Sequence, residues 1–144
     1  MAKPDDVVNF LVTIPLFHGL NKKQLERLAS RFVSRHYEAG KYIVTQGRGG
    51  EGMFVMISGR AEAIVDSSDG SKNKVNEFGS RDFFGEVAML DDGPRTASVI
   101  ATEATECLVL TRSDFIALMQ NDAEMAIEIT VALAKRLRRV VSMM

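Results

Sequence analysis

The run Phe83-Phe84-Gly85-Glu86-Val87-Ala88-Met89-Leu90-Asp91-Asp92-Gly93-Pro94-Arg95-Thr96-Ala97 carries residue types suited to gripping an anion. Gly85 lets the backbone approach a ligand closely, and it opens one expected helical turn, 86–90, whose first amides lack helical partners. Such amides form a ready anion site. The turn 91–94 then returns the chain and places Arg95 at the start of the next expected strand. From there its planar guanidinium could donate two charge-assisted hydrogen bonds to a phosphate. By composition alone, a plain ion pair of Arg95 with Glu86 or Asp92 on a solvated rim is the simpler account.

A second glycine-rich string competes for attention. Gly47-Arg48-Gly49-Gly50-Glu51-Gly52 satisfies G-x-G-x-x-G. A dinucleotide loop needs a helix to follow it, because the phosphate sits at that helix's N-terminus. Here the β-type run Met53-Phe54-Val55-Met56-Ile57 comes next, closed by Gly59. The string therefore reads as a loop joining two strands. Cys107 lies in an apolar run with Leu108, Val109 and Leu110, where a thiol acts as a small buried hydrophobe. His18 and His36 are the two histidines, which is too few for a clustered-histidine metal site.

The elements that position these residues follow from periodicity. Ten of the 11 glycines lie between Gly40 and Gly93, which implies a turn-rich β middle with helices at both ends. A short helix is expected near 5–12, ended by Pro15. Asn21 and Gln24 form a capping-box pattern, followed by Leu25, Leu28, Ala29 and Phe32 at helical spacing. Short β-type runs are expected at 32–37, 41–46, 53–58, 61–66, 74–78, 95–101 and 106–111, with Asp69-Gly70 marking a hairpin. Seven or eight short strands fit a small barrel or jelly roll. Ser113-Asp114 is read as the cap of a helix carrying Phe115, Leu118 and Met119, and a longer helix is expected over 122–142. That last helix carries two apolar stripes, one with Ile127, Val131, Ala134 and Val141, the other with Ala126, Ile129, Leu133, Leu137 and Val140. One stripe suffices for packing within the chain, and the second is available to a partner or a ligand.

At 144 residues the chain has the size of one domain, and 46% hydrophobic with 26% charged residues is a globular composition. A formal net charge of -1 speaks against a general nucleic-acid or membrane-surface binder. A single cysteine excludes an internal disulfide framework. The first apolar stretch, 7–17, is broken by Asn9, Thr13 and Pro15 and preceded by Asp5 and Asp6, unlike a secretory signal. No window is long and apolar enough to span a bilayer. A cytoplasmic location is expected.

The segment 83–97 resembles the phosphate-binding cassette of cyclic-nucleotide-binding domains, in which F-G-E, an apolar helical turn and R-[S/T/A]-A occur in this order. Gly40, Gly47, Gly52-x-Phe54, Gly59 and Gly79 stand where that family's pattern places barrel turns. The resemblance covers nearly the whole chain, as one domain 1–144. It implies a mainly β fold with flanking α. That fold is an eight-stranded jelly-roll β-barrel (a double-stranded β-helix) over 32–111, with N-terminal helices in 1–31 and a C-terminal two-helix lid in 112–144. It also implies roles. Backbone amides around Gly85, Val87, Ala88, Thr96 and Ala97 would hold the cyclic phosphate, with Arg95 as counter-charge. Glu86 would accept from the ribose 2′-hydroxyl. Ala61 and Ala63 would leave room for a base, Phe78 and Thr96 would line its pocket, and Arg136, Leu137 and Val140 would close over it. Thr96 leaves cyclic GMP possible, with cyclic AMP slightly favoured on the family's bacterial members.

The function so implied is a cytosolic sensor of cyclic AMP or cyclic GMP, with no other cofactor or metal and no catalytic residues. Ligand binding would move the C-terminal helix against an effector protein or domain, or a homodimer contact through that helix. Lys135, Arg136, Arg138 and Arg139 read first as a solvated helix end complementing the macrodipole, and second as a docking surface for an acidic partner. Because the sequence stops after the expected helix, no DNA-binding domain, channel pore or kinase is expected within it. The alternative is the regulatory domain of a cyclic-nucleotide-gated channel or cyclic-nucleotide-dependent kinase.

Overall fold

The computed structural model describes residues 4–49, 52–91 and 93–144. The chain divides into two compact units: residues 1–31 with 113–144, and residues 32–112.

Among the described residues, the second unit has eight strands: β1 (Val33–Tyr37), β2 (Tyr42–Val44), β3 (Gly52–Ser58), β4 (Ala61–Asp66), β5 (Lys72–Phe78), β6 (Phe83–Phe84), β7 (Ser98–Ala101) and β8 (Thr105–Thr111). They form two four-stranded antiparallel sheets, ordered β1-β8-β3-β6 and β2-β7-β4-β5. This interleaving of early and late strands is a jelly roll. β3 is buried along nearly its whole length, which suits its unbroken apolar run, whereas β4 buries Ala61 and Ala63 and alternates with more exposed neighbours. The core joins Ile43, Phe54, Met56, Ala61, Ala63, Phe84, Val99, Ala101, Cys107 and Val109. Across β3 and β8, Met56 faces Cys107, with their sulfurs 3.6 Å apart.

Between Phe83 and Ala101 the structure differs from the sequence reading in three ways. Phe83 and Phe84 form a strand of their own, paired to Val55 and Phe54 of β3. β7 begins at Ser98, three residues later than expected, because the backbone around Arg95 is engaged elsewhere. Arg95 N donates to Arg48 O at 2.9 Å, Gly47 N donates to Arg95 O at 2.8 Å, and Gly49 bridges Pro94. The expected helical turn 86–90 is a 3₁₀ turn, Val87–Met89, closed by Ala88 N to Gly85 O at 3.1 Å and Leu90 N to Val87 O at 2.9 Å. In the glycine string, Gly50 and Glu51 lie outside the described residues. The string leads into strand β3 and not into a helix, in agreement with its reading as a loop between strands.

The helical unit contains α1 (Pro4–Leu11), a 3₁₀ turn (Pro15–Phe17), α2 (Lys22–Ala29), α3 (Arg112–Asn121, its first residue belonging to the barrel unit) and α4 (Ala123–Ser142). Both capping-box bonds of α2 are made, Gln24 N to Asn21 Oδ1 and Asn21 N to Gln24 Oε1, each 2.9 Å. α3 comes directly after β8, so Ser113 and Asp114 lie inside its first turn and do not cap it. Asp122 caps α4 by accepting from Met125 N at 2.9 Å, and it also takes Arg27 Nη2 at 3.0 Å from α2. The Met125 amide, more than the neighbouring Gln24 and Arg27, holds its carboxyl below the usual aspartate range. On α4 the buried residues are Met125 and Ile129, whereas Ile127, Val131, Leu137, Val140 and Val141 are exposed. Of the two expected apolar stripes, only Ile129 is buried. No helix among the described residues is long and apolar enough to cross a membrane.

Candidate functional site

The site begins with three aromatic rings in the barrel. Phe84 stacks on Phe54, with centroids 5.1 Å apart and planes 7° from parallel, and its other neighbour Phe78 lies 4.9 Å away. This packing fixes the end of β6. The next residue, Gly85, turns the chain with φ of +84°, which side chains disfavour. A Cβ there would also meet Arg95 Nη1 at 2.5 Å and Gly52 O at 2.6 Å. Glycine is therefore required twice over, for its conformation and for the space.

Arg95 occupies the place that Gly85 leaves open. Its backbone is latched to Arg48 and Gly47. Its Nη2 donates to Gly52 O at 2.6 Å, its Nε is buried, and its Cζ lies 6.0 Å from the Phe54 ring centroid, at the edge of cation–π range. Gly52 can present that carbonyl because it has no side chain. Its φ is +143°, and a Cβ would stand 1.9 Å from Leu110 O. A planar cation held by a carbonyl, a ring and its own backbone is preorganised, and it loses little entropy on taking an anion.

These residues line a cavity of about 320 Å³. Gly85, Glu86, Val87, Ala88, Arg95, Thr96 and Ala97 border it on the side of residues 83–97. Ala63 and Phe78 border it from β4 and β5. The structure thus brings together the barrel residues picked out by sequence, apart from Ala61, which is buried in the core and pairs with Phe78 in register. Arg136, Leu137 and Val140 stand on α4, in the helical unit, where Leu137 and Val140 are exposed. Asp92, the alternative ion-pair partner, lies outside the described residues.

Val44, Phe84 and Val99 also line the cavity, and sequence reasoning did not assign them there. Val99 was legible in principle. It faces Ala63 across the β4–β7 ladder, and Ala97, Val99 and Ala101 alternate onto one face. Chemically, the cavity joins an apolar part to a carboxylate, a guanidinium and closely spaced backbone amides. That combination suits a ligand with an anionic group, a hydroxyl and an apolar face. Among the described residues, no cluster of histidine, cysteine and carboxylate side chains could hold a metal.

The sequence model of the cyclic nucleotide-binding domain matches residues 34–122, a span with nearly all of the barrel and all of 83–97. The chain belongs to the cyclic nucleotide-binding domain family. The cyclic AMP receptor protein of Thermus thermophilus is 36% identical over 124 residues, which are 86% of this chain and 57% of that protein. A cGMP-dependent protein kinase of Drosophila melanogaster, isozyme 2 forms cD5/T2, is 34% identical over 116 residues, which are 78% of this chain and 12% of the kinase. The fold is shared with the N-terminal domain of a transcriptional regulator from Streptomyces coelicolor A3(2), at TM-score 0.86 and 27% identity over 94% of each chain. The chain therefore spans little more than half of one of these curated relatives and a small part of the other. As a cyclic nucleotide-binding domain it carries the family's jelly roll, with helices before and after it.

Proposed function

We propose that the chain is a sensor module for a purine 3′,5′-cyclic nucleotide. The observation that carries this reading is the Arg95 guanidinium, fixed beside the open Cα of Gly85 on a cavity of about 320 Å³. The phosphate sits against Arg95 and the backbone of Gly85, Val87, Ala88, Thr96 and Ala97. An ionised Glu86 accepts from the ribose 2′-hydroxyl, which favours ribonucleotides. The base occupies the part of the cavity bordered by Ala63, Phe78 and Thr96. The sequence 1–144 works as one cytoplasmic domain, binding and not catalysing.

Cyclic AMP is the preferred ligand and cyclic GMP the second. Both are in keeping with a relative named for each nucleotide. Binding is relayed by repositioning α4 against an effector protein or domain, or against a second copy. It can do so only to the extent that the nucleotide binds the two α4 positions unequally. The small share of the Drosophila kinase that the chain spans favours a second reading, the regulatory part of a longer kinase or channel. A thermal-shift panel of cyclic AMP, cyclic GMP and 5′-AMP tests the proposal. A cyclic nucleotide at ~100 times its dissociation constant adds about 2.7 kcal/mol of stability, and 5′-AMP adds far less. Absence of a shift with both cyclic nucleotides overturns it.

A further inference from the structure

The helical unit has a cleft of its own, about 160 Å³ in volume. One wall is the 3₁₀ turn at Pro15 and the neighbouring His18, and the other is α4. Val131, Lys135 and Arg139 recur every four residues along that helix and so stack on one face, joined by Arg136. Among the described residues, three cations thus line a small cleft with one carboxylate, Glu128, which packs over Gly19.

The charge is concentrated against the trend of the chain. The net charge is -1, yet no acidic residue comes after Glu128, and the three cleft cations Lys135, Arg136 and Arg139 fall within five positions. The helix macrodipole accounts for little of this, because its effect fades beyond the last turn and only Arg139 lies there. Beside the cations the cleft has exposed apolar surface at Val131, which is 41% accessible, and at Pro15. A free inorganic anion would use the charge alone. A chain segment alternating carboxylates with apolar side chains uses both, and the cleft, half the volume of the barrel cavity, is of a size to take side chains.

We propose that this cleft docks an acidic, amphipathic peptide segment of a partner protein. The proposal assigns a chemistry to that partner and stands apart from the nucleotide site. Its test uses no nucleotide.

The probe is a fluorescein-labelled peptide of repeated Glu-Leu-Glu, titrated by anisotropy at low salt against the full chain. Saturable one-to-one binding is expected, weakened about tenfold in Lys135→Glu/Arg139→Glu, where attraction becomes repulsion. Arg138→Glu makes the same kind of charge change on the same helix but off the cleft, and it should stay within about twofold of wild type. The milder Lys135→Gln/Arg139→Gln pair, expected to lose about threefold, serves if charge reversal disturbs the circular dichroism. Tripolyphosphate should displace the peptide poorly. The proposal is overturned if the peptide does not saturate the wild-type chain, if Arg138→Glu weakens it as much as the cleft variants do, or if tripolyphosphate competes at equal concentration.

Discussion

A Cβ on Gly85 would stand 2.5 Å from Nη1 of Arg95, so the absence of one side chain is the condition for the position of the other. The same missing atom would meet Gly52 O at 2.6 Å, and that carbonyl is the acceptor of Arg95 Nη2. Gly52, Gly85 and Arg95 therefore behave as one device, in which two bare backbones surround a guanidinium.

Gly85→Ala must either displace Arg95 or strain a backbone at φ of +84°. Strain of that kind costs roughly 1–3 kcal/mol. The variant should melt lower than wild type and bind cyclic nucleotide at least tenfold more weakly. Paired melting curves and calorimetric titrations check both effects. A variant with wild-type affinity would show that the spacing is not needed for the ligand.

Glu86→Gln keeps the side chain's shape but removes the ionised acceptor. It should cost on the order of 1–2 kcal/mol of binding for one charged hydrogen bond. With the 2′-deoxy nucleotide the substitution should cost far less, since the hydroxyl is already missing. Equal losses with both ligands would place Glu86 elsewhere than at the ribose.

The Cys107 thiol is fully buried, and burial, with a smaller contribution from the Glu106 charge, pushes it up to about 12 from 9.0. The folded state therefore holds a neutral thiol that the unfolded chain ionises near its ordinary value. Its contribution to stability is intact below about pH 9 and is lost as the pH rises from there toward 12. Urea midpoints measured at pH 8 and above pH 10 should fall more for wild type than for Cys107→Ala, whatever the offset between the two proteins. The native thiol should also resist a disulfide reagent at pH 8 and react on unfolding.

Much of the fold was legible because it rests on local pattern. β3 and β4 announce themselves by apolar runs between glycines, and α2 by Asn21 and Gln24, whose reciprocal bonds form as the spacing implies. β6 was not legible as a strand, since two residues have no period and only pairing with Val55 and Phe54 makes Phe83 and Phe84 one. The late start of β7 has the same origin. Arg95 takes its backbone partners from Gly47 and Arg48, far away in sequence, and no local signal reports that. At the site, Gly85, Glu86 and Arg95 stood out by type and order. One acceptor that fixes Arg95 is a main-chain carbonyl at Gly52, which residue identity does not reveal. The exposure of Leu137 and Val140 was hidden for a related reason: an apolar stripe on a helix does not say what covers it.

The central claim is that Arg95 is the counter-charge of a cyclic phosphate, and calorimetric titration of cyclic AMP into wild type and Arg95→Ala tests it most directly. The account predicts saturable one-to-one binding by the wild type and a loss of roughly 3–5 kcal/mol in the variant, the scale for stranding one member of a buried ion pair. Arg95→Lys should recover only part of that loss, because an ammonium cannot reproduce the planar fork. Wild-type affinity in a folded Arg95→Ala protein would contradict it.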